Sequence, residues 1–155
     1  RGQCELAARA FGVSALRDVS PERFETECDQ LDEITRRRAR HVVTENERTL
    51  QAAEAMRHGD AVAVGRLMNA SHASLRDDFA VSSRELDVMV ERGRTHPACL
   101  DIRMTGAGFG GCAVALIHSE HAEAFTSIVA GRYQAITGIA PVLYVCSATD
   151  GAAVV

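Results

Sequence analysis

The chain has 155 residues, of which 46% are hydrophobic and 25% are charged, and this balance predicts a soluble globular domain with a core of its own. The net charge of −4 at pH 7 provides no basic surface for nucleic acid or for an anionic membrane. All 17 basic residues are arginines, which excludes a Walker A phosphate loop, a Schiff-base lysine and a lysine general base. The longest uncharged stretches contain glycine, proline or polar residues, so no membrane span is predicted.

The five cysteines are spread along the chain without a CxxC pair. In an acidic domain without a signal peptide, they are expected to be reduced thiols of a cytoplasmic protein. Cys112 and Cys146 lie in apolar runs, which favours burial over a role as nucleophile or metal ligand. His118 and His121 have no third ligand nearby in the sequence, so they are assigned to a surface loop and no metal site is predicted.

Apolar residues at helical spacing predict helices through the charged N-terminal part of the chain. The first helix covers Arg1–Phe11 and ends at Gly12. The next begins with Ser20 as its N-cap and Pro21 as its first residue. Between these two helices, Leu16–Val19 is expected to form a short strand.

A long helix is predicted from Leu31 to Met56, because this segment contains neither glycine nor proline. Four arginines at positions 36–38 and 40 invite a nucleic-acid interpretation. On a helix they spread around the circumference near acidic residues, so a solvated face is favoured. The apolar face of this helix is expected to include Ile34, Val42, Leu50, Ala53 and Met56.

Two shorter helices follow the long one. Gly59 and Asp60 mark the boundary, after which an apolar rhythm of helical spacing runs from Val64 to Phe79. A further helix is predicted at Ser83–Arg92, ending at Gly93.

The last third of the chain changes to strand-like patterns. Two strands are predicted at Ile102–Thr105 and Cys112–Ile117, followed by a helix at His121–Ile136 and a last strand at Pro141–Ala148. Helices followed by strands indicate an α+β domain with a small antiparallel sheet and helices on one face.

The segment from Arg103 to Cys112, Arg-Met-Thr-Gly-Ala-Gly-Phe-Gly-Gly-Cys, is the most informative part of the sequence. Its glycines let the backbone adopt positive φ and approach another group without interference from Cβ. A dinucleotide-binding fingerprint is excluded, because it requires a helix at Gly111, where a strand is predicted. From the residues alone, a tight structural hairpin and a ligand-facing backbone cradle are equally open.

This segment resembles the third sequence motif of the GHMP small-molecule kinases, in the form found in galactokinases. Four further blocks resemble galactokinase segments in the same order, so the resemblance covers essentially the whole chain. They are Arg40–Thr49, Leu67–Asp78, Val81–Asp87, and Tyr144–Cys146 with Gly151 and Ala152. The sequence departs from the family at Ala107, where glycine is frequent, and at Arg84, where proline is usual.

The resemblance implies that residues 1–155 form a GHMP kinase C-terminal domain, a ferredoxin-like α+β fold with several helices, one of them long. A chain that starts at Arg1, inside a helix, is then expected to lack the family's N-terminal domain. That domain carries the nucleotide loop, most sugar contacts and the catalytic acid. The resemblance to galactokinases implies a reaction that transfers a phosphoryl group from Mg-ATP to O1 of galactose. The chain is therefore expected to contain no catalytic residue and to be inactive alone, with the N-terminal half, galactose and Mg-ATP as partners.

The resemblance also implies a role for the loop between the two predicted strands, which would close the active site and support the phosphate loop with backbone amides. We call this the glycine loop: Gly106, Ala107, Gly108, Phe109, Gly110 and Gly111. A second set comprises candidate contacts with the missing domain: Ser74, Arg76, Asp77, Asp78, Arg103 and Thr105. For the first four, a capped and solvated helix end is the alternative. His72 is expected to be a structural hydrogen-bonding residue rather than a base.

Other functions stay open at this point. The chain could belong to another GHMP small-molecule kinase, or to a galactokinase-like sugar sensor that binds sugar without phosphorylating it. A free-standing ligand-binding module is a related alternative. In every two-domain case, the surface that faces the missing half is expected to make the isolated domain self-associate.

Overall fold

The computed structural model describes residues 1–147 and 149, in which the regular structure consists of helices and one β-hairpin. The helices and strands are α1 (Gly2–Ala10), α2 (Pro21–Glu27), α3 (Glu33–Arg57), α4 (Ala61–Ser74), α5 (Arg84–Arg94), β1 (Cys99–Thr105), β2 (Cys112–Ile117) and α6 (Ala122–Thr137). Short 3₁₀ turns lie at Leu16–Asp18, Cys28–Gln30 and Ser119–His121, and a π-helical turn at Leu75–Phe79 continues α4. None of the helices in the described residues is both long and apolar enough to span a bilayer.

Local sequence signals account for where most helices begin and end. The Ser20 hydroxyl accepts a hydrogen bond from the Arg23 amide and starts α2, as predicted. The Ser83 hydroxyl starts α5 in the same way, so arginine in place of the family's proline at position 84 does not prevent the helix start. Gly138 ends α6 with φ of 73°, a left-handed conformation that suits glycine.

Two groups of buried residues form the core. The first lies between α1, α2 and the beginning of α3, where the Phe11 and Phe24 rings are 6.0 Å apart between centroids. The second lies where α5 and α6 pack with β1, and its buried members include Ile102, Val90 and Phe125. The long helix α3 contacts both α1 and α4, and so connects the two groups.

The hairpin β1–β2 is antiparallel, with Arg103 opposite Val114 and Thr105 opposite Cys112. Helix α4 packs closely along β1, since the position of a Cβ on Gly65 would lie 2.9 Å from the carbonyl oxygen of Leu100. The α+β class with a small antiparallel sheet is therefore confirmed.

Two predicted strands are wrong. Leu16–Asp18 forms a 3₁₀ turn, in which the amides of Asp18 and Val19 bond to carbonyls three residues earlier rather than to a neighbouring strand. Residues 141–147 contain no regular structure, and Val142, Tyr144 and Val145 are exposed. Strand formation needs a paired neighbour, which the described residues do not provide for this segment. Ala148, Gly151 and Ala152 lie outside the described residues.

The predicted apolar face of α3 is wrong for Ile34, Leu50, Ala53 and Met56, which are all exposed, and Val42 is half-buried. The buried residues of α3 lie in its first half, because α1 and the π-helical turn pack there. They are Thr35, Ala39, His41 and Val43.

The arginine run of α3 is not the solvated face that the sequence predicts. The Arg37 and Arg38 guanidinium groups donate to the backbone carbonyls of Asp77 and Asp78 in the π-helical turn. Arg40 lies 3.8 Å from the Asp78 carboxylate and also over the Phe24 ring. These arginines hold the end of α4 against α3.

Two helical glycines provide a matched test of packing. Gly65→Ala is expected to lower the free energy of unfolding by about 1–3 kcal/mol, because the new Cβ meets the backbone of Leu100. Gly131→Ala in α6 is expected to raise it by roughly 0.5–1 kcal/mol, since its Cβ would have no atom within 4 Å and alanine favours helix. Urea unfolding followed by circular dichroism measures both changes. Equal effects of the two substitutions would contradict the close packing of α4 on β1.

Candidate functional site

The glycine loop connects β1 to β2, and its backbone explains its composition. The angle φ is positive at every residue of the loop except Ala107, with values of 84° at Gly106 and 121° at Gly110. Residues with a side chain rarely adopt such angles, so glycine is needed at most of these positions. Ala107 does not need it, which accounts for the departure from the family pattern at that residue.

Gly108 fixes the loop to its own domain. A Cβ at this position would lie 2.3 Å from the carbonyl oxygen and 2.8 Å from the Cβ of Val81. The same carbonyl oxygen accepts a hydrogen bond from the Phe109 amide at 2.6 Å. The middle of the loop therefore rests on Val81, and this close contact explains why residue 108 is a glycine.

The other glycines of the loop leave open space. A Cβ built on Gly106, Gly110 or Gly111 would have no atom within 4 Å. Phe109, the one loop residue with a large side chain, adopts φ of 59° and is 77% exposed. A bulky residue in a left-handed conformation costs on the order of 1–3 kcal/mol of folding free energy. Because the Phe109 ring is exposed, its packing within this domain does not offset that cost. The loop thus presents bare backbone and an apolar ring on its outer side.

Val81 is positioned by the π-helical turn that ends α4. The chain leaves the turn through Ala80, whose φ of 55° and ψ of 51° are left-handed, and the Val81 amide then donates to the Leu75 carbonyl at 3.1 Å. Single π-helical turns are rare and often lie at functional sites. Val81 belongs to a block that resembles galactokinases, but no sequence signal marked the π-helical turn, the conformation of Ala80 or the contact with Gly108.

Among the candidate interdomain residues, Ser74 and Asp78 bind within this domain. Buried Ser74 donates from its hydroxyl to the Asp78 carboxylate at 3.0 Å, and lies 3.0 Å from Nδ1 of His41. Since the single hydroxyl proton goes to Asp78, the His41 ring donates to Ser74. Burial lowers the pKa of His41, which keeps this ring neutral.

Arg76, Asp77 and Thr105 are exposed and lie on the surface. The Arg76 and Asp77 side chains pair with each other at 2.8 Å, and this hydrogen bond raises the pKa of Arg76 and lowers that of Asp77. Of the six candidate contacts, these three are therefore free to face another domain. Their interdomain role stays a prediction.

Arg103 is held by α3 and α4. Its guanidinium lies 3.1 Å from the Glu45 carboxylate and 2.8 Å from the Ser71 hydroxyl, which itself donates to Glu45 at 2.6 Å. Arg48 completes the group at 2.8 Å from the other carboxylate oxygen. Burial raises the pKa of Glu45, but hydrogen bonds from Ser71 and Arg48 outweigh it and keep the pKa below its ordinary value.

His72 is fully buried and hydrogen-bonded, as the sequence predicts. Its Nδ1 accepts from the Met104 amide at 3.3 Å, and its Nε2 lies 3.3 Å from the Asp87 carboxylate. The Ser82 hydroxyl donates to the same carboxylate at 2.6 Å. Burial lowers the pKa of His72.

The prediction that two of the cysteines are buried is wrong. Cys112 and Cys146 are exposed rather than buried, because Cys112 lies at the free end of the hairpin and residues 141–147 pack against little. Burial raises the pKa of the half-buried Cys99 thiol to about 11, which makes it a poor nucleophile. Within the described residues, no group of histidine, cysteine and carboxylate side chains is arranged to hold a metal ion.

Comparison with known proteins shows the protein family to which this chain belongs. The family model described as "GHMP kinases C terminal" matches residues 52–135, and the chain belongs to this family. The matched region includes α4, the π-helical turn, α5 and the glycine loop.

Within that class, the chain is similar over its whole length to galactokinases. It is 47% identical over 163 residues to the galactokinase of Glaesserella parasuis, which covers 100% of this chain and 41% of that protein. The galactokinase of Roseiflexus sp. is 46% identical over 156 residues, 97% of this chain and 40% of that protein. The crystal structure of Lactococcus lactis galactokinase in complex with galactose superimposes with a TM-score of 0.86 and 38% identity, over 90% of this chain and 37% of that one. The chain thus spans about two fifths of the relatives that it matches.

Proposed function

We propose that this chain is the C-terminal part of a galactokinase, in which it closes the active site with the glycine loop. The complete enzyme would transfer the γ-phosphate of ATP to O1 of galactose and release galactose 1-phosphate. Similarity to galactokinases along the whole chain, and not only across the 52–135 match common to GHMP kinases, supports galactose over other substrates. The free cysteines fit the reducing cytoplasm, where we place the protein.

The proposed role in closing the active site rests on one observation: the glycine loop contacts its own domain on one side and is open on the other. Gly108 ties the loop to Val81, while Gly106, Gly110 and Gly111 keep their outer side free of protein atoms. Bare backbone amides in such a loop fit the oxygens of a phosphate group, because a Cβ would otherwise hold the anion away. Mg-ATP supplies the transferable phosphoryl group when bound, and loop amides would stabilise charge on its oxygens.

This part does not supply the remaining chemistry. Transfer to a sugar hydroxyl depends on positioning the nucleophile and on neutralising phosphate charge. The described residues contain no lysine and no arrangement for a metal ion. As the resemblance to galactokinases implies, we place the catalytic acid and the principal nucleotide and sugar contacts in the remaining part of the enzyme, and we expect residues 1–155 alone to be inactive.

A coupled ADP-release assay on the complete protein tests the proposal. We expect turnover with galactose and Mg-ATP, little with mevalonate, homoserine or N-acetylgalactosamine, and none from residues 1–155 alone. Preferred turnover of another acceptor would assign the chain to a different GHMP kinase. Galactose binding without ADP release would indicate a sugar sensor, and turnover by residues 1–155 alone would contradict the division of roles.

The isolated chain is expected to self-associate. Phe109, Val142, Tyr144 and Val145 expose between 65% and 83% of their surface, and exposed apolar groups of this kind promote association. Light scattering over a range of protein concentrations measures the effect. The variant Tyr144→Ser should shift the distribution toward monomer, whereas a concentration-independent monomer for the unmodified chain would contradict the prediction.

A further inference from the structure

One buried histidine connects the strand that leads into the glycine loop with the segment that supports the middle of the loop. Met104 lies just before the loop in β1, and its amide donates to Nδ1 of His72 in α4 at 3.3 Å. On the other side of the ring, Nε2 faces the Asp87 carboxylate, which also accepts from Ser82. We propose that His72 is a positioning residue for the glycine loop, acting through the Met104 amide; this inference rests on the function proposed above.

The chain of contacts closes on the loop itself. Ser82 follows Val81, whose carbonyl oxygen accepts from the Phe109 amide and lies against Gly108. One ring therefore links the strand that leads into the loop with the segment on which the middle of the loop rests. A shift of the ring would move both supports together.

The contact with Met104 requires a neutral imidazole. Nδ1 can accept a hydrogen bond only when it is unprotonated, so the ring proton lies on Nε2 and points to Asp87. Burial lowers the pKa of His72, as do the nearby guanidinium groups of Arg94 and Arg76, while Asp87 opposes them. Protonation at low pH would place an N–H of His72 against the N–H of Met104 and break the link.

A pair of substitutions separates the two sides of the ring. The amide oxygen of His72→Asn can occupy the place of Nδ1 and still accept from Met104, but it does not reach Asp87. The longer side chain of His72→Gln can reach Asp87 but withdraws the acceptor from Met104. Both replace the ring with a neutral amide, so each is the control for the other in loss of packing.

The complete protein is the sample for both measurements. We expect His72→Gln to lower kcat for galactose phosphorylation on the order of 10²-fold with a nearly unchanged KM for galactose, since a displacement of about 1 Å is enough for such a loss. His72→Asn should retain kcat within roughly fivefold of the unmodified enzyme. Its kcat should also lose the decline at acidic pH that protonation of His72 adds to the unmodified profile. Because burial lowers the pKa of His72, this decline lies below the ordinary imidazole range, while His41 titrates in both proteins.

Hydrogen exchange of residues 104–111 provides a readout that does not depend on catalysis. We expect faster exchange of the Met104 and Phe109 amides in His72→Gln than in His72→Asn, at matched thermal midpoints. If the complete protein does not phosphorylate galactose, the proposed function fails, while the exchange experiment still decides whether His72 holds the loop. Equal exchange and equal kcat in the two variants would overturn the inference and leave His72 as a packing residue.

Discussion

Gly108→Ala is expected to lower the free energy of unfolding by about 3 kcal/mol or more, the largest loss from one added methyl group in the glycine loop. The new Cβ would lie 2.3 Å from a carbonyl oxygen of Val81, well inside van der Waals contact. It would also force alanine to adopt φ of 86°. Neither backbone can easily move away, because the Val81 amide bonds to Leu75 and its carbonyl accepts from Phe109.

Gly111→Ala is the matched control for this prediction. Gly111 has φ of 101° but no atom within 4 Å of its Cβ position, so only backbone strain of about 1–3 kcal/mol is expected. Urea unfolding of both variants gives the difference directly. If Gly108→Ala costs no more than Gly111→Ala, the contact between the loop and Val81 does not form in solution.

Signals that act over a few residues were sufficient to predict much of the fold. Ser20, Asp60 and Ser83 cap helices where polar residues precede an apolar rhythm, and Gly138 ends α6 where glycine was expected. The hairpin also follows from local pattern, because its strands are adjacent in sequence and separated by the glycine segment. Such features depend on hydrogen bonds within one turn or one hairpin.

The incorrect predictions concern contacts between elements that are distant in the sequence. Nothing near Leu50 or Met56 in the sequence shows that α1 and the π-helical turn pack on the first half of α3 and leave these apolar side chains exposed. Arg37 and Arg38 likewise find carbonyl partners about forty residues away, which periodicity cannot reveal. Residues 142–146 form an apolar run of the kind found in buried strands, but such a run does not supply the neighbouring strand that pairing needs.

The glycine loop shows why the sequence left two interpretations equally open. A structural hairpin and a ligand-facing cradle both require positive φ, so both predict the same glycines. In the structure, Gly108 lies against Val81, which is a structural contact, whereas Gly106 and Gly110 have open space beside them, and their role as a cradle stays a prediction. The position of Val81, which the π-helical turn and Ala80 fix, determines which of these glycines makes a structural contact.

Gly106→Ala in the complete enzyme is expected to lower kcat/KM for galactose phosphorylation by roughly 10-fold to 10²-fold, provided that the proposed function holds. Within this domain a Cβ at Gly106 meets no atom within 4 Å, so it would obstruct only what approaches from outside: phosphate oxygens or the loop that holds them. The cost in folding stability should stay near 1–2 kcal/mol, the usual penalty for alanine in a left-handed conformation. Gly138→Ala is the matched control, because Gly138 has a similar φ of 73°, equally open surroundings and a place at the end of α6, outside the glycine loop. Steady-state kinetics and thermal midpoints of the two variants test this prediction. Similar midpoints with a reduced kcat/KM only in Gly106→Ala would support a backbone cradle. Equal kcat/KM in the two variants would show that the outer side of the loop does not meet the reacting phosphate.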